Sequence, residues 1–137
     1  MDRKRRLAGT AFGLTSGVTT HSPLFYAHWE LQPGARVALP DGYSERAVYI
    51  ATGEVESQGR RFGPGRMLVF DKGDDSTLIA VQPSTVMALG GEPVGERFIE
   101  WNFVSSSRER IEQAKADWRA GRMKLPDFDN QEFIPLA

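Results

Sequence analysis

The stretch PDGYSERAVYIATGEV, residues 40–55, decides the fold. Pro40-Asp41-Gly42 is turn chemistry: proline presets φ, aspartate bonds nearby backbone, and glycine tolerates angles other residues avoid. RAVYIA follows, rich in branched and aromatic residues, and Gly53 closes it. Alternation along this segment puts Arg46, Val48 and Ile50 on one face. An arginine aligned with two aliphatic residues raises the question of what that face is for.

The same rhythm extends in both directions. LFYAHWEL, ARVAL, RMLVF, STLIAV, STVMAL and RFIEWNFV are further strand candidates. Between them stand Pro33-Gly34, Gln58-Gly59, Gly63-Pro64-Gly65, Lys72-Gly73 and Gly90-Gly91, all capable of tight reversal. Many short strands without interleaved helices predict an all-β sandwich or barrel. One helix is expected after it. Ser106 with Glu109 makes a capping-box pattern, Ile111, Ala114 and Trp118 recur at helical spacing, and Gly121 suits the left-handed stop. The chain thus divides into an N-terminal tail (1–20), a β-barrel (21–104) and a helix with a docking tail (105–137) in the same domain. Phe128, Phe133, Ile134 and Leu136 are too apolar for a free tail. They predict docking on the chain's own barrel, on a second copy, or on another domain.

Bulk properties narrow the function classes. The chain has 137 residues, enough for one core, and a formal net charge of −1, so no global field attracts nucleic acid or an anionic membrane. Cysteine is absent, which removes disulfides, thiolate ligands and a cysteine nucleophile and suits a reducing, cytoplasmic setting. No apolar run reaches the ~20 residues a bilayer requires. MDRKRR precedes a segment diluted by Gly, Thr and Ser, so a solvated tail is expected there rather than a secretory signal.

Four segments carry a resemblance: PDGYSERAVYIATGEV, GPGRMLVFDKGDD, LGGEPVGERFIEWNFVSSSRERIEQAKADW and the final EFIPL. The chain resembles the cupin family, and within it the C-terminal half of bacterial pirin-like proteins. The resemblance implies a jelly-roll-like barrel. In metal-binding cupins, a first motif supplies two histidines and a glutamate, and a second motif supplies another histidine. With Gly53 as anchor, the glutamate position is Arg46. The histidine positions are Pro40 and Gly42, or Leu39 and Asp41 with a longer spacer. With Gly65 and Gly73 as anchors, the second motif's histidine position is Ser76. The glycine scaffold stays and the coordinating side chains do not. A guanidinium cannot lose its proton and repels a dication, so no metal and no cofactor are expected.

By the same resemblance Arg46 faces the barrel interior, where a charge needs a partner. Glu100, Asp71 and Asp74 are the candidates for an internal ion pair. Alternatively, Arg46, with Val48 and Ser76, binds a small carboxylate or phosphate in the barrel mouth. His28 and Glu30 share a strand face with Tyr26 and, with His21, are a conceivable relocated metal set. Ser105-Ser106-Ser107 is explained by capping, Asp74-Asp75 by a turn, and Gly63-Pro64-Gly65 lacks the Lys-Ser/Thr of a phosphate loop.

Pirin-like proteins pair two such barrels with the metal in the N-terminal one, and some are linked to quercetin oxygenation. The resemblance therefore implies a metal-free second barrel acting as a protein-interaction or regulatory module, with no catalytic residues. It is expected to be a homodimer or to pair with a metal-bearing cupin partner. The alternatives are a quercetin 2,3-dioxygenase-like oxygenase that needs such a partner, and a sensor of anionic metabolites near Arg46.

Overall fold

The computed structural model describes residues 3–11, 14–15 and 17–136, with side chains from residue 17 onward. Two compact units divide the chain, residues 1–93 and 94–137.

The first unit is built from two antiparallel sheets. The larger one contains β1 (Arg3–Ala11), β2 (Leu14–Thr15), β3 (Leu24–Leu31), β5 (Glu45–Thr52), β8 (Met67–Phe70) and β10 (Ser84–Gly91), in the order β2-β1-β3-β10-β5-β8. The smaller contains β4 (Arg36–Ala38), β6 (Val55–Ser57), β7 (Arg60–Phe62) and β9 (Thr77–Ala80), in the order β4-β9-β6-β7. Consecutive strands are often in different sheets, as in a jelly roll. The expected barrel takes the form of this two-sheet sandwich.

Alternation builds the core. In β3, Phe25, Ala27, Trp29 and Leu31 point inward; in β5, Arg46, Val48 and Ile50; in β10, Ser84, Val86 and Ala88. Val37, Val55, Leu78 and Ala80 meet them from the smaller sheet. Trp29, Phe25, Leu31, Ile50 and Leu78 are fully buried, so side chains fill the interior.

Three differences from the sequence expectation have physical causes. The N-terminal segment is not a tail: β1 pairs with the free side of β3, with a register shift between Arg6 and Ala8. Backbone pairing satisfies an edge that side-chain patterning does not advertise. GEVESQGRRF forms the hairpin β6–β7, turned by Gln58 and Gly59 at φ 50° and 72°. Both positive angles are what a two-residue hairpin of this hand requires. RFIEWNFV is not one strand but a second hairpin, β11 (Phe98–Glu100) and β12 (Phe103–Ser105). Trp101 turns the chain at φ 52°.

That hairpin belongs to the second unit with α1 (Arg108–Arg119). The helix cap is Ser107, one residue later than the pattern suggested: its hydroxyl accepts from the Arg110 amide, while Ser105 Oγ accepts from the Ser107 amide at 3.1 Å. The C-terminus closes as expected. Gly121, at φ 65°, donates to the Trp118 carbonyl, and Arg122 donates to that of Asp117, completing a Schellman pair. Trp118 lies 5.4 Å from Trp101 and 5.8 Å from Phe133, and its indole N–H donates to the Ile134 carbonyl at 2.9 Å. The apolar tail thus docks on its own helix at Phe133, while Phe128 stays exposed.

Gly53 shows why one motif glycine is indispensable. Its φ is 82°, and an added Cβ would stand 2.4 Å from the Pro83 carbonyl oxygen and 2.6 Å from Ser84 Cα. Gly65 has a similar φ, 77°, with open space around it. Gly65→Ala is expected to cost only the left-handed penalty, about 1–2 kcal/mol. Gly53→Ala is expected to cost clearly more, because backbone must also move. Urea unfolding of the two variants checks the order; equal losses would mean that the contact with β10 does not matter.

Candidate functional site

Arg46 is the second residue of β5 and is 3% exposed. The strand's alternation sends it inward beside Val48, whose side chain is fully buried in the core. Buried guanidinium has five N–H donors that must find acceptors. Two loops supply them. Nη1 donates to Asp41 Oδ1 at 3.1 Å and to Ser76 Oγ at 3.4 Å. Nη2 donates to the backbone carbonyls of Asp71 at 2.8 Å and Asp74 at 3.3 Å. Nε alone has no partner and is buried.

The loops are shaped for this. Residues 71–74 form a turn in which the Asp71 amide donates to Asp74 Oδ2, the Asp74 amide donates to the Asp71 carbonyl, and Gly73 adopts φ 92°. Both carbonyls then aim at the guanidinium. Ser76 is buried and serves twice, accepting from Arg46 and from the Leu39 amide at 3.1 Å. A neighbouring clamp holds the start of β5: the Ser44 amide and hydroxyl both donate to Glu92, at 3.0 and 2.5 Å. Those hydrogen bonds hold the Glu92 carboxyl below its usual pKa.

The positions picked out in the sequence therefore come together. Leu39, Asp41, Arg46 and Ser76 meet around one group. Pro40 and Gly42, the alternative assignment, are not among the hydrogen-bond acceptors of the guanidinium. The internal ion pair exists, but its acid is Asp41, not Glu100, Asp71 or Asp74. Asp71 and Asp74 contribute carbonyl oxygens instead. Glu100 lies in the second unit, where it pairs with Lys115. Asp41 was not foreseen as the partner because its turn position suggested only local bonding. Its side chain is 98% exposed, so it touches the arginine from the solvent side.

His28 and Glu30 share the outward face of β3, as alternation requires, and His21 is exposed. Among the described residues, no three His, Asp or Glu side chains gather where a cation could be held. Arg46 also lines a hollow of about 610 Å³, together with Phe25, Tyr26, Glu45, Val69 and Asp71 among others.

Comparison with known proteins agrees with this architecture. The sequence profile of the Pirin C-terminal cupin domain matches residues 26–124. The chain belongs to the pirin C-terminal cupin family. It is 63% identical over 134 residues to a pirin-like protein of Caulobacter vibrioides, a match covering 98% of this chain and 46% of that protein. It is 30% identical to human pirin over 122 residues, 82% of this chain and 42% of pirin. The crystal structure of a quercetin 2,3-dioxygenase from Acinetobacter baumannii superposes with a TM-score of 0.78 at 21% identity, over 99% of this chain and 48% of that one. This likeness establishes the cupin fold. The chain spans about half the length of the pirin relatives it matches.

Removing Arg46 would strand two carbonyls and the Ser76 hydroxyl. Arg46→Ala is expected to destabilise by about 2–4 kcal/mol. Asp41→Ala removes only an exposed partner and is expected to cost under about 1 kcal/mol. Chemical denaturation measures both. A loss at Asp41 matching that at Arg46 would show that the ion pair, not the carbonyl cradle, holds the loops.

Proposed function

We propose that this pirin-family cupin is a non-catalytic module that acts through protein contacts and holds no metal ion. One observation carries the reading. At the position that the cupin pattern gives to a coordinating glutamate stands a buried guanidinium, with four of its five N–H donors engaged by the chain itself. A dication there would face a permanent charge at contact distance, with no imidazole to bind it. The three residues around the point are an arginine, a serine and one exposed aspartate, and they do not make a cation's donor set.

The module reading includes a cytoplasmic setting, consistent with the absence of cysteine; no helix is long and apolar enough to cross a membrane. It also includes a partner: a second copy or a metal-bearing cupin. Oxygenase activity, the function named for the Acinetobacter structure, would on this reading belong to such a partner and not to Arg46 and its neighbours. The test is metal content. The purified chain, exposed in turn to iron(II), nickel(II), copper(II) and manganese(II) and then desalted, is expected to retain no stoichiometric ion and to turn over no flavonol. One ion per chain, lost in the Asp41→Ala/Ser76→Ala double variant, would overturn the proposal.

A second reading rests on the unpartnered Nε–H of Arg46. With Ser76 beside it and Val48 beneath, that donor suits one oxygen of a small anion. Thermal melting with a panel of carboxylates and phosphates tests it. A rise in melting temperature that disappears in Arg46→Ala is the expected sign; no rise with any anion removes the reading.

A further inference from the structure

One dipeptide beside Arg46 is chemically vulnerable. Across the sequence, Asp41–Gly42 is the one place where an aspartate or asparagine is followed by glycine. At every other such position the next residue carries a Cβ, which crowds its own amide nitrogen. Gly42 has no such shield. It is exposed, and no atom beyond its chain neighbours lies within 4 Å of where a Cβ would stand. Its amide donates no backbone hydrogen bond among the described contacts.

The aspartate is equally free. Its side chain is 98% exposed, and the Arg46 Nη1 contact at 3.1 Å is its single tether among the described contacts. An exposed ion pair is a weak restraint. Other aspartates are held or screened. Asp74 Oδ2 accepts from the Asp71 amide, and Asp75 Oδ1 from the Thr77 amide. The Asp117 carboxylate is held by Gln113 and Arg122, and the amide that follows it lies inside α1. Asp127 pairs with Lys124 and precedes Phe128.

We infer that Asp41–Gly42 is a site of spontaneous isoaspartate formation. The reaction balances without a co-reactant. The Gly42 nitrogen attacks Cγ of Asp41 in its acid form. The N–Cγ bond forms, a Cγ–O bond breaks, and the departing hydroxyl leaves as water with the amide proton. Water then reopens the cyclic imide. Attack at Cγ restores aspartate. Attack at the α-carbonyl leaves isoaspartate, in which the backbone runs through Cβ and Cγ and the carboxylate hangs from Cα.

The product changes the surroundings of Arg46 selectively. Isoaspartate adds a methylene to the backbone before Gly42 and moves the carboxylate, so the Nη1 contact is lost. Leu39, two residues earlier, is tied to Ser76 Oγ at 3.1 Å, a bond that the longer backbone disturbs. The Asp71 and Asp74 carbonyls belong to the other loop and stay with Nη2. The modification therefore loosens loop 39–41 from the guanidinium while the turn at 71–74 keeps its hold.

Ageing the purified chain for weeks at neutral pH, well below its melting temperature, tests the inference. Enzymatic methylation of isoaspartyl groups, followed by peptide mapping, reads the sites. The unaltered chain is expected to carry several-fold more isoaspartate at residue 41 than at any other aspartate or asparagine. Gly42→Ala adds a methyl group in open space and is expected to cut that signal several-fold without lowering the melting temperature. Asp41→Asn, which loses ammonia instead of water, is expected to form the same product faster. In the isoaspartyl form, separated by chromatography, the Leu39 amide is expected to exchange hydrogen faster, with the Asp71 and Asp74 amides at the parent rate. No isoaspartate at residue 41 in the unaltered chain, or no more there than at Asp127, overturns the inference. An Asp41→Asn variant that forms none shows that the turn forbids ring closure, and overturns it as well. An unchanged Leu39 exchange rate overturns the coupling to Arg46.

Discussion

One guanidinium organises an entire end of the sandwich. Arg46 lies at the head of a core strand and cannot shed its charge. Burying it is tolerable only if acceptors come to it. They come from two loops that are distant from each other in the chain, 39–41 and 71–76. The turn at 71–74 presents its carbonyls inward, and Ser76 ties the guanidinium to the Leu39 amide. The conformation of both loops is therefore linked to a single side chain. The cation at that point is part of the covalent chain.

The scaffold itself owes little to Arg46. Phe25, Trp29, Val48, Ile50, Leu78 and Val86 pack the space between the sheets by ordinary alternation. What departs from an ordinary sandwich is the other side of the larger sheet. Tyr26, Leu89, Ala47 and Val69 form an unbroken apolar row where water would normally select polar residues.

The second unit is stabilised by different means. Its helix is short, and only Ile111 is buried on it. Serine caps at one end and a Schellman closure at the other satisfy backbone groups that packing does not protect. The Trp101–Trp118–Phe133 contacts then join the hairpin, the helix and the tail. Arg108 over the Phe98 ring, 4.0 Å from its centre, ties the first turn of the helix to β11.

Much of this was legible in the chain. LFYAHWEL is β3 residue for residue, RAVYIA and STVMAL lie inside β5 and β10, and Gly121 stops the helix. The motif spacing also located Arg46 and Ser76 as neighbours. These features depend on a two-residue side-chain period, on left-handed φ values, or on a motif that spans a known fold. The N-terminal strand, the β6–β7 hairpin and the break in RFIEWNFV were not legible. Their backbone partners matter more than their composition, and the Ser107 cap differs from its neighbour only in geometry. Local covalent preferences thus settled which segments extend, which turn and which residue carries the buried charge. The fold alone decided that Asp41 and three other acceptors converge on that charge, and that Tyr26, Leu89, Ala47 and Val69 align in one row across four strands. Both depend on distances between residues remote in the chain, and no local pattern encodes those distances.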